Sequence, residues 1–71
     1  MKLPLQLLDV VALLEDHPEA GLVAGQVGTI VEQLADAVFE VEFSDEEGRT
    51  YAEIALPASQ LIALRYSPVA A

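Results

Sequence analysis

His17 is the only histidine of the chain and stands in the run EDHPEA, with Asp16 before it and Glu19 two residues beyond. An imidazole beside two carboxylates is the least from which a general base or a metal site could be built. Such a site needs a further player, and the local sequence offers none, so we read His17 as a solvated loop histidine. The rival reading is a small-ligand site around it. Cysteine is absent, which removes thiolate catalysis and Cys/His zinc sites alike. Ser44, Ser59 and Ser67 stand at no spacing from His17 that suggests a nucleophile elbow or a triad. No catalytic residue, metal ligand or cofactor is assigned, and the expectation is a non-enzyme.

The stretch GLVAGQVGTIVEQL poses a second chemical question, because Gly21, Gly25 and Gly28 could form a phosphate-binding loop. A dinucleotide fingerprint needs a strand before its first glycine and a helix after its last, so that the pyrophosphate meets a helix N-terminus. Here the order is reversed. Gly28 is followed by Thr29, Ile30 and Val31, all strand formers, and no Gly-Lys-Ser/Thr follows. Gly21 and Gly25 are therefore expected to bend a long loop, and Gly28 to let a neighbouring backbone or bulky ring lie close across a strand.

The acidic residues form the third candidate. Twelve Asp and Glu face only Lys2, Arg49 and Arg65, a formal net charge of -9. Such a chain repels nucleic acid and anionic membranes before contact, whereas it suits solubility or a basic partner. The turn DEEG could attract a hard cation, but it lacks EF-hand spacing and reads as a solvated hairpin tip. Glu40, Glu42 and Glu53 fall on outward positions of adjacent strands and form one acidic stripe. The contact residues expected on this basis are Glu40, Glu42, Asp45, Glu46, Glu47 and Glu53, with Leu22 and Val23 as apolar anchors from the long loop.

These side chains must be positioned by short elements, since punctuation cuts the chain at EDHPEAG, ADA, SDEEG and PASQ. That spacing is the mark of an all-β barrel or sandwich. Phe39, Val41 and Phe43 alternate with Glu40, Glu42 and Ser44, a period of two that a half-buried strand explains. Beyond the turn at Gly48, Ala52, Ile54 and Leu56 alternate with Tyr51, Glu53 and Ala55 in a returning strand that Pro57 stops. PASQ predicts one tight helical turn and LIALRY a last short strand. The first segment, LQLLDVVALLED, is ambiguous between helix and strand, and adjacent Val10 and Val11 favour the strand. The resulting order is a five-stranded SH3-like barrel with a one-turn helix before the last strand. One domain spans residues 1–66, with a short tail at 67–71.

Hydrophobic residues make up 54% of the chain. A domain of this size has more surface than core, so some of Leu3, Leu5, Leu7, Leu8, Leu13 and Leu22 should remain outside it. An apolar patch, and through it a homo-oligomer, is expected. Asp9 interrupts the N-terminal apolar run, which argues against a signal peptide or a membrane span. The expectation is a cytoplasmic protein that binds neither membrane nor nucleic acid.

Two resemblances follow from these residues. GQVGTIVEQL resembles the Gly-x-x-Gly-x-Val strand of KOW-type and other SH3-like nucleic-acid domains, which implies nucleic-acid binding as an alternative. The basic loops of those domains are replaced here by Glu15, Asp16, Glu19, Asp36, Asp45, Glu46 and Glu47. The pieces LLDVVALLEDHPEAGL, GQVGTIVEQL, FEVEFSDEEGRTYA and LPASQLIAL together resemble a family of short bacterial proteins, the domain of unknown function 4926. That resemblance implies an SH3-like fold and a place next to a larger protein. It suits an antitoxin, immunity-like or accessory subunit that binds another protein, one of basic character.

Overall fold

Alternation in FEVEF places Phe39, Val41 and Phe43 on one side of a strand, and all three are buried while Glu40 and Glu42 are half-exposed. The structure, a computed structural model, describes residues 5–66. Its strands are β1 (Val10–Leu13), β2 (Val27–Ala35), β3 (Val38–Ser44), β4 (Thr50–Pro57) and β5 (Leu61–Ala63). They form one antiparallel sheet in the order β4-β3-β2-β1-β5. A meander thus returns through the 3₁₀ turn Ala58–Gln60 to lay β5 against β1, which is the SH3-like arrangement expected. A second 3₁₀ turn, Pro18–Ala20, sits in the long loop between β1 and β2.

The core takes its residues from all five strands and from the loop. Val11, Leu13, Leu22, Ile30, Phe39, Val41, Phe43, Leu56 and Leu61 are buried, and no polar or charged residue is buried with them among the described residues. Each fully covered Leu, Ile or Phe side chain contributes roughly 1.5–3 kcal/mol relative to exposure. In β4, Ala52 and Ile54 pack against this core beside Leu56, as the alternation requires. Gly21 and Gly25 bend the long loop at φ of 74° and 95°.

Several expectations are corrected. The first strand is shorter than LQLLDVVALLED, because Gln6–Asp9 closes a turn in which Asp9 N donates to Gln6 O at 3.1 Å. Asp9 Oδ2 also accepts from Gln6 N at 2.9 Å. Leu8 occupies the left-handed region at φ 71°, and Leu7 and Leu8 project into solvent as expected of surplus leucines. Leu13 and Leu22, by contrast, belong to the core, and Leu5 packs against it. The last strand ends at Ala63 rather than Tyr66. Leu3 and the tail at 67–71 lie outside the described residues. No helix of the described residues is long and apolar enough to cross a membrane.

Candidate functional site

The acidic stripe is built by the register of three strands. Glu42 on β3 stands directly opposite Glu53 on β4. On the other side of β3, Glu40 stands opposite Glu32 of β2. Four carboxylates thereby share the outer surface of β2, β3 and β4. The carboxyl of Glu40 is held above the usual glutamate value of 4.5, first by desolvation, then by a hydrogen bond shared with Glu53 and by the charges of Glu53 and Glu32. Repulsion from the neighbouring carboxylates thus adds to desolvation in favouring the protonated form of Glu40.

Glu32 was not among the residues expected here, and a bulge explains why. Ile30 pairs with Val41 and Glu32 with Glu40, so β2 carries an extra residue at Val31. Counting by twos from buried Ile30 would aim Glu32 inward. The bulge restores it to the outer surface.

At the β3–β4 turn the acidic residues divide by role. Asp45 Oδ1 accepts from the backbone N–H groups of Glu47 and Arg49, each at 2.9 Å. Arg49 Nε donates to Asp45 Oδ2 at 3.3 Å, and Arg49 Nη2 reaches Glu47 Oε1. Backbone donation from Arg49, above all, holds the Asp45 carboxyl below its usual range. Asp45 and Glu47 therefore close their own turn, and Glu46 stands exposed at its tip. Of the two apolar anchors, Val23 is 57% exposed, but Leu22 is fully buried. Leu22 anchors the loop to the core of its own chain and is removed from the contact surface.

His17 also differs from expectation. It is not a solvated loop histidine: its side chain is 17% exposed, with Nε2 2.6 Å from Gln60 Oε1 and Nδ1 3.5 Å from Glu19 Oε2. Backbone bonds in both directions with Leu22 complete the closure of the loop. This geometry ties the long loop to the 3₁₀ turn before β5. Gln60 lies 43 residues from His17, and no local motif announces the pair. Among the described residues, no group of three or more His, Cys, Asp or Glu is placed to hold a metal ion.

The glycine stretch carries no phosphate cradle. Thr29–Val31 continue β2 beyond Gly28, so no helix N-terminus follows. Phe43 and Val41 instead crowd the face of Gly28.

The family model described as Domain of unknown function (DUF4926) matches residues 7–63, most of the chain. No curated protein and no solved structure matches.

Proposed function

The chain belongs to the DUF4926 family, and from that premise we propose that it is a non-enzymatic protein-interaction module whose partner is basic. The observation that carries this reading is the array of Glu32, Glu40, Glu42 and Glu53 on one outer surface of the sheet. Carboxylates placed opposite one another across strands destabilise the sheet that holds them. A cationic partner would turn that cost into attraction and would speed encounter. The cation nearest in sequence, Arg49, is held by Asp45 and Glu47 and is not directed at the array. Exposed Glu46 and Val23 extend the contact set expected of such a surface. An accessory or antitoxin-like subunit working beside a larger basic protein fits this chemistry.

The test is a capture from native lysate with wild type and with the triple variant Glu40→Gln, Glu42→Gln, Glu53→Gln. A protein retained by wild type, lost by the variant and released by added salt supports the reading. Equal retention by a variant that remains folded overturns it.

A further inference from the structure

Resting on that reading, we infer that the partner is an amphipathic segment, apolar along one flank and cationic along the other, and that it lies along β2 with its apolar flank over β1 and β5 and its cationic flank over β3 and β4. The inference comes from the outer surface of the other half of the sheet. Val11, Leu13 and Ile30 turn inward and are buried, so Val10, Ala12 and Thr29 turn outward. Ala12 is paired with Val27 on one side and with Ile62 on the other. Val27 is 44% exposed and Ile62 50% exposed among the described residues. Leu14, just past β1, is 51% exposed and continues the same alternation. The paired row Ile62–Ala12–Val27 carries no charged residue.

The apolar and acidic halves are joined by one row of paired residues. Val10 pairs with Thr29, Thr29 with Glu42, and Glu42 with Glu53. Across β2 that row carries an aliphatic side chain, a threonine, and then two carboxylates in succession. Strands are spaced about 4.8 Å apart, so the apolar strand β1 and the first carboxylate strand β3 are separated by about 10 Å. A helix with its side chains is about 10–12 Å across, so its two flanks span the same distance. Charge decides between the occupants this surface could take. A second copy of the chain, itself at -9, would add carboxylates beside carboxylates. A cationic segment discharges them while its apolar flank covers Val27, Ala12 and Ile62. Apolar burial supplies affinity and the carboxylates supply orientation.

The probe is a short peptide with leucine and lysine at amphipathic helical spacing, compared with two controls. One control keeps the lysines and replaces leucine by serine; the other keeps the leucines and replaces lysine by glutamate. Binding is followed by amide NMR shifts of the intact chain. The leucine–lysine peptide is expected to shift Val10, Ala12, Val27, Ile62, Glu42 and Glu53 together, and to bind at least about tenfold more tightly than either control. Ile62→Ser and, independently, Val27→Ser should remove that advantage while leaving binding of the serine–lysine control unchanged. Both positions are exposed, so the variants should remain folded.

Equal binding of the serine–lysine and leucine–lysine peptides would overturn the apolar contact and leave the acidic reading standing. Failure of every cationic peptide to bind would remove both. Concentration-dependent self-association abolished by Ile62→Ser would overturn the inference in favour of a second copy.

Discussion

Gly28 on β2 stands directly opposite Phe43 on β3, so close that a Cβ built on Gly28 would lie 3.0 Å from Phe43 Cδ2. The same Cβ would lie 2.7 Å from Val41 Cγ1 and 2.9 Å from Glu42 O, the last a backbone atom within a ladder. The glycine is required by packing, since any side chain would force two core residues and a strand to shift. Gly28→Ala should therefore lower stability by about 1–3 kcal/mol through overpacking, measured by denaturant unfolding. Millimolar nucleotide should leave wild type and variant equally unaffected. A variant as stable as wild type that loses a nucleotide effect present in wild type would revive the phosphate-loop reading.

Leu22 and Val23 are neighbours with opposite duties. Leu22→Ala removes a fully buried side chain and should cost about 2–5 kcal/mol, depending on how far the loop collapses into the space. Val23→Ser removes an exposed one and should leave the melting curve within experimental error. If Val23 belongs to the contact surface, its substitution will show only in partner retention.

What could be read from the sequence depended on whether the chain's local rules went uninterrupted. Phe39, Val41 and Phe43 obey a strict period of two, and the strand they predict is present with its two acidic neighbours outward. The turn before β5 follows from Pro57 equally directly. Glu32 was not readable because the bulge at Val31 changes the count partway along β2. Leu22 was assigned to the surface because it lies in a loop, where no alternation marks a buried residue. The His17–Gln60 contact joins segments with no shared local signal, so only tertiary structure brings it together. Leu7 and Leu8 read as strand because they run without punctuation into Val10 and Val11, whereas Asp9 closes a turn over them by donating to Gln6 O and accepting from Gln6 N.

The His17–Gln60 contact joins the long loop to the 3₁₀ turn that delivers β5. His17→Ala and Gln60→Ala should each destabilise the fold, and the double variant should cost less than their sum. The expected coupling is about 0.5–1.5 kcal/mol, the net worth of one hydrogen bond. Additive losses in this double-mutant cycle would show that the two side chains act independently. Hydrogen exchange should quicken at Leu14 N, which donates to Gln60 O at 2.9 Å.

Glu40 and Asp45 make opposite contributions to stability as pH changes. The folded chain holds Glu40 above 4.5, chiefly by desolvation and by Glu53. Folding therefore disfavours its ionised form, and the resulting penalty is full above the folded value and absent below 4.5. Asp45 is held below 3.8 by the Arg49 backbone N–H and its neighbours. Its stabilisation is full above 3.8 and is lost as pH falls through the folded value. Acidification from neutrality should thus first stabilise the chain as Glu40 takes up its proton, then destabilise it as Asp45 does. Asp45 is exposed and Glu40 half-exposed, so added salt should shrink the two limbs. Urea unfolding at a series of pH values checks this pattern, with carboxyl NMR titration locating each midpoint. Glu40→Gln should raise stability at neutral pH and flatten the upper limb alone, because a neutral amide removes the charge without emptying the position. Asp45→Asn should lower stability at neutral pH and flatten the lower limb. An upper limb unchanged by Glu40→Gln would mean that the carboxylate array is not strained by its own charge, and the argument that a cationic partner relieves it would fall with that result.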